Sequence, residues 1–272
     1  MLTRSITARK NCIRFLATAT NTVDQQEVQQ FQKFVEGWWD EFGPMKALHS
    51  MNKLRVPLIR DGLVNSGLVQ KKRIDSPLPL EGLSILDIGC GGGILSEPLA
   101  RLGGIITGID ANLEIVTVAR SHADLNHLDI NYVTSSIEDH ALGNAEKYDA
   151  VVASEIIEHV SQKSAFIEAC AKCLKPNGSI FVTTLSKTRL ADFVAVFLAE
   201  DVARLVPKGT HQYEKFIKPH ELQRLLEDNN CRTELVHGMF YNVVTNTWHW
   251  CSNTSVNFAL QATKLEKVED CD

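Results

Sequence analysis

Three groups of residues in this chain have types and spacings that could do chemistry together. The first is the glycine cluster Gly89, Gly91, Gly92 and Gly93, which follows the apolar run Ile85, Leu86 and Ile88 and precedes Leu95, Leu99 and Leu102 at helical spacing. A loop so placed joins the C-terminal end of a buried strand to a helix N-terminus. Ligands of open α/β sheets settle there, and glycine lets backbone N–H groups approach them. The second is Asp110, at the end of the apolar run Ile105–Ile109 and roughly 20 residues past the first glycine, where a carboxylate can accept from both hydroxyls of a ribose. On its own Asp110 would serve equally as the cap of a helix starting near Leu113. The third is Glu155, Glu158 and His159, delivered by the strand Tyr148–Ala153. If a helical turn begins there, the three lie at i, i+3 and i+4 and point to one side. Two carboxylates so gathered could neutralise a divalent cation. Mg²⁺ favours oxygen ligands, whereas imidazole suits Mn, Fe, Co or Zn. Without a metal, His159 could act as a general base.

The glycine loop narrows the ligand class. A dinucleotide site wants G-x-G-x-x-G/A, and the frame that begins at Gly89 ends on Ile94, too large for close helix–strand packing. Asp87-Ile88-Gly89-Cys90-Gly91-Gly92-Gly93 instead resembles motif I of the class I methyltransferases, D/E-x-G-x-G-x-G. That resemblance implies S-adenosylmethionine as methyl donor, with Gly89, Gly91, Asp110 and Ser154 among its contacts. It also implies a Rossmann-like α/β fold with a seven-stranded sheet, in which Ile137 and Glu138, after the strand Ile130–Thr134, flank the adenine.

The elements that must carry these residues fit in a chain of 272 residues, 44% hydrophobic and 22% charged, enough for one α/β domain with additions. No apolar run approaches the roughly 20 residues of a membrane span. The net charge of -5 offers no basic excess for nucleic acid. Residues 1–22 differ from this average: Arg4, Arg9, Lys10 and Arg14 stand among Ser and Thr, and the first acid is Asp24. That is the composition of a mitochondrial transit peptide or of a basic tail. Seven scattered cysteines imply no disulfide framework, and Cys170-x-x-Cys173 lacks a second pair for zinc, so it reads as helix packing.

Residues 23–75 form an N-terminal segment ahead of the domain at 76–272. Asp24 with Glu27 looks like a capping box, and Val28, Phe31, Val35 and Trp38 recur near helical spacing. Next come Trp38-Trp39-Asp40 and Gly43…Leu48-His49…Asn52…Arg55. Ahead of motif I, this W-W-D and G-x-x-x-x-L-H-x-x-N-x-x-R resembles the ubiquinone-biosynthesis O-methyltransferase family. Gly209-Thr210-His211 and Lys215-Phe216-Ile217-x-Pro219-x-Glu221-Leu222 extend the resemblance, which covers about Phe31 to Leu222. It implies that Arg55 contacts the cofactor under an N-terminal lid and that E-x-x-E-H, here Glu155, Glu158 and His159, holds Mg²⁺. A cation beside the methionine carboxylate is also sensible as a bidentate pairing.

Further on, Lys175-Pro176-Asn177-Gly178 predicts a turn before a fifth strand, Ile180–Thr184. The apolar insertion 190–207 reads either as cover for a prenyl tail or membrane contact, or as a helix packed on the domain. Leu235–Tyr241 and Ser255–Thr263 are the expected closing strands.

The reading is then an O-methyltransferase acting on ring hydroxyls of polyprenylated catechols, an early dihydroxybenzoate and a late demethylated quinol. The resemblance implies a place at the matrix face of the mitochondrial inner membrane, in peripheral contact with it and within a ubiquinone-biosynthesis complex. A metal-independent small-molecule methyltransferase of another pathway and a non-catalytic scaffold are the alternatives. The catalytic base is unassigned.

Overall fold

The computed structural model describes residues 22–23, 37–186 and 216–266. The expected leader up to Asn21, the Val28–Val35 helix, the insertion 190–207 and the Gly209–Lys215 motif lie outside them.

One mixed sheet of 8 strands runs in the order β3-β2-β1-β4-β5-β8-β6-β7. Its strands are β1 (Ser84–Ile88), β2 (Ile105–Asp110), β3 (Asn131–Thr134), β4 (Tyr148–Ser154), β5 (Leu174–Leu185), β6 (Cys231–Asn242), β7 (Thr247–Cys251) and β8 (Asn257–Lys264). The first five are parallel, while β8 runs antiparallel to both β5 and β6. The order reverses between β1 and β4, so the loops after these two strands open a crevice at the carboxyl edge.

The buried parallel strands are apolar on both faces because each face is covered. Leu86, Ile88, Val151 and Ala153 point to a core shared with Phe166 and Ile167 of the Lys163–Cys173 helix and Leu222 and Leu226 of the Pro219–Glu227 helix. Ile85, Ala150, Val152 and Phe181 point the other way, to Ile59 and Leu63 of the helix α1 (Lys46–Asn65) and to Leu95 and Leu99. Thus the C-terminal half of α1 is part of the core, and only its first turns and the residues before it reach over the crevice. Gly62 makes this packing possible: a Cβ there would stand 2.5 Å from Cε1 of Phe181.

The sheet has one strand more than the seven expected. Thr247–Cys251 pairs with Gly238–Asn242 as a closing hairpin, and its alternation is obscured in sequence by two tryptophans. The predicted turn at Lys175–Gly178 falls where the β4–β5 register jumps, from Tyr148↔Leu174 to Ala150↔Ser179, with Asn177 at φ 64.

Candidate active site

The glycine loop leaves β1 through a tight turn in which Gly91 sits at φ 54, and its N–H donates to Oδ2 of Asp110 at 3.1 Å. Oδ1 of Asp110 accepts from the N–H of Asn112 at 2.9 Å, and Asn112 caps the next helix through its own side chain. Asp110 therefore ties the loop to the end of β2 while facing the cavity. Burial raises its pKa, against the pull of those backbone N–H groups. Behind the loop Asp87 is buried, accepts from the Ser96 hydroxyl at 2.6 Å, and is pushed by burial up to about 6. It supports the loop from below.

Arg55 enters from α1, 4% exposed. Its Nε and Nη2 donate to Oδ1 of Asn52 at 3.1 and 2.7 Å. Nη2 also donates to the carbonyl of Leu48 at 2.9 Å, and Nη1 to Oγ of Ser154 at 2.9 Å. Burial lowers its pKa to about 10, opposed by Glu155 and Asp87, so it remains a cation at neutral pH. Four of the five guanidinium hydrogens are engaged within the protein. The bidentate grip on a carboxylate expected from the sequence is therefore not open to Arg55, because Asn52 and Leu48 hold its other edge. Ser154 lines the cavity and also bonds Oγ1 of Thr183 at 2.7 Å, which fixes it under Arg55.

At the tip of β4, Glu155 adopts a left-handed backbone, φ 55, costly for a residue with a Cβ and kept where the surroundings enforce it. Its N–H donates to the Thr183 carbonyl at 2.8 Å, its side chain faces the cavity, and its buried Oε1 has no hydrogen-bond partner. Burial, then the neighbouring Glu158, push its carboxyl up to about 7. Ile157–His159 is a 3-10 turn rather than the start of an α-helix, so the three residues do not share one side as helical spacing would have them. Glu158 accepts from Oγ1 of Thr184 at 2.8 Å, behind the cavity wall, while His159 lines the cavity. Among the described residues no three His, Cys, Asp or Glu side chains stand grouped as a ready-made metal site.

Three features lay beyond sequence reasoning. Thr22, assigned to the leader, is 1% exposed; its hydroxyl donates to Oε1 of Glu138 at 2.6 Å, and its carbonyl accepts from Ser161. Oε2 of Glu138 is buried without a partner, and Glu138 and Ile137 line the cavity together with Thr22. Trp38 and Trp39 both hold the lid on the glycine loop. Trp38 lies against Gly91 and Gly92, and Trp39 donates from Nε1 to the Gly92 carbonyl at 2.9 Å. Trp39 also stacks on His122 at 3.5 Å between centroids, and His122 contacts Glu97 at 2.5 Å. The aromatic density of this segment was visible in sequence, but its target was not.

Residues 86–182 match the family described as methyltransferase domain. A mouse protein named ubiquinone biosynthesis O-methyltransferase, mitochondrial, is 45% identical over 271 residues, 98% of this chain and 72% of that protein. A Sinorhizobium fredii protein named ubiquinone biosynthesis O-methyltransferase is 39% identical over 90% of this chain and 97% of its own length. Among solved structures, a Synechocystis magnesium protoporphyrin IX methyltransferase with bound SAH superposes with a TM-score of 0.57 at 20% identity, over 88% of this chain and 95% of that one.

Proposed function

Because the chain belongs to the ubiquinone biosynthesis O-methyltransferase family, we propose that it moves the methyl group of S-adenosylmethionine to a ring hydroxyl of polyprenylated catechol and quinol precursors, a dihydroxybenzoate and a demethylated quinol. The observation that carries this reading is the crevice at the sheet's switch point. Asp110 and Glu138 line it with acceptors suited to ribose hydroxyls and an adenine amino group, and the Arg55 cation lines the same cavity. A single cofactor with a sugar, a base and a carboxylate satisfies all of them.

S-adenosylmethionine supplies an electrophilic methyl carbon, and the displacement is in line, so positioning dominates; good geometry alone is worth roughly 7–11 kcal/mol. Asp110 and the Gly91 backbone fix the ribose end, Arg55 the carboxylate end, and Trp38 with Trp39 exclude water by pressing the lid on the loop. The acceptor hydroxyl, with a pKa near 10 if tyrosine is the guide, must lose its proton on the way.

A divalent cation fits the acidic pair in part. Glu155 offers an unpaired buried oxygen, and Glu158 adds the second negative charge that such an ion would relieve. We assign Glu155 as its principal ligand, with His159 at the cavity and Glu158 reached if it exchanges Thr184; the ion would lower the pKa of a chelated catechol. One observation favours a metal-free reading beside it: Glu158 is already held by Thr184, which leaves His159 as base.

Purified protein given labelled S-adenosylmethionine and a short-chain dihydroxybenzoate should transfer methyl, and exhaustive chelation should abolish transfer, restored by Mg²⁺ or Mn²⁺. Transfer that survives chelation and vanishes in His159→Ala selects the metal-free base. No transfer with cofactor bound selects the scaffold. The polyprenyl tail calls for peripheral contact with a membrane. We place that contact at the matrix face of the mitochondrial inner membrane, in a complex with other enzymes of the route.

A further inference from the structure

A carboxylate is best held by two donors, and Arg55 has one hydrogen to spare, on Nη1. The same cavity contains a second donor. The Trp38 ring is 6% exposed and covers Gly91 and Gly92 so closely that a Cβ on Gly92 would stand 2.5 Å from its Nε1. That Nε1 is buried and has no hydrogen-bond partner, although Trp38 lines the cavity. Its neighbour Trp39 spends the equivalent N–H on the Gly92 carbonyl. An indole N–H can only donate, and a buried donor left unpaired is destabilising, so the group in front of it must be an acceptor.

We infer that Trp38 is a cofactor-binding residue: its Nε1–H donates to the α-carboxylate of bound S-adenosylmethionine and completes, with Nη1 of Arg55, a two-donor grip on that group. The inference rests on the S-adenosylmethionine reading given above. It makes the lid more than a cover. Trp38 belongs to the segment that closes over the loop, so closure is favoured when a carboxylate is present, and an analogue without one leaves the lid's donor unsatisfied.

Calorimetric titration of the full chain with S-adenosylhomocysteine and with its decarboxylated analogue tests this. The wild type should prefer the carboxylate form. Trp38→Phe keeps the ring but not the donor. It should lose on the order of tenfold in affinity for S-adenosylhomocysteine and leave the analogue within about twofold. Trp39→Phe, which loosens the lid without touching the ligand, should weaken both by the same factor. If Trp38→Phe also weakens both equally, Trp38 only packs and the inference is overturned. A wild type that binds neither ligand overturns the cofactor reading and this inference together. Should Trp38→Phe not fold, the indole N–H resonances of the chain's 4 tryptophans replace it. One of them, still present in Trp39→Phe, must move downfield with S-adenosylhomocysteine and not with the analogue, and the absence of such a shift rejects the proposal.

Discussion

Asp110 accepts from the backbone N–H of Gly91 on one oxygen and of Asn112 on the other, with the Ala111 N–H also acting on the carboxylate, and it lines the cavity. Asp110→Ala therefore removes a ligand acceptor and the tie that holds Gly91 in place. Its dissociation constant for S-adenosylhomocysteine should rise on the order of ten- to a hundredfold by titration, while the thermal midpoint of the free protein moves less than a buried-core change would move it. The place of Asp110 at the cavity was legible because it depends on a distance along the chain, roughly 20 residues from the loop. The orientation of Glu158 was not legible. It depends on Ile157–His159 closing as a 3-10 turn and on the hydroxyl of Thr184, on the neighbouring strand β5, donating to the carboxylate. Arg55 falls between the two: its presence in the site followed from the motif, whereas its commitments to Asn52 and Leu48 belong to the fold.

Among the elements, α1 shows how a glycine sets a distance. Gly62 faces the ring of Phe181 and the side chain of Gln261, whose Nε2 donates to the Gly62 carbonyl at 3.3 Å. A methyl there has no room, so Gly62→Ala should cost about 1–3 kcal/mol by overpacking and lower the thermal midpoint by several degrees. Calorimetric unfolding measures it, and an unchanged midpoint would mean that α1 can retreat from β5. The strands β1, β2, β4 and β8 could be read from their apolar runs because both faces of the central sheet are buried. β7 could not, since an edge strand with one wet face shows no such run. The boundary between lid and domain was equally hidden. Nothing in the sequence of Lys46–Asn65 marks where a cover over the site becomes a core helix, because Ile59 and Leu63 show amphipathic spacing in either case.

At the scale of the molecule, Asp149 links three strands beneath the sheet's opposite edge. Burial pushes its carboxyl up, but Lys175 at 2.8 Å and both the hydroxyl and the N–H of Ser84 outweigh that and hold it below the usual carboxylate range. A carboxyl with a lower pKa folded than unfolded adds stability above its unfolded pKa, about 3.9, and loses it as the pH falls through the folded value. Asp149→Asn should thus have a lower urea midpoint than the wild type at pH 7, and the gap should narrow below about pH 4. A gap that stays constant with pH would assign the loss to geometry rather than charge. The N-terminal side of the molecule carries a different constraint. Thr22 lines the cavity and is tied to Glu138 and Ser161, so removal of residues from that end meets a limit there. Loss of Thr22 strips a buried glutamate of its hydroxyl partner, and a chain end created just before it places a new ammonium group on the very residue that holds that acid.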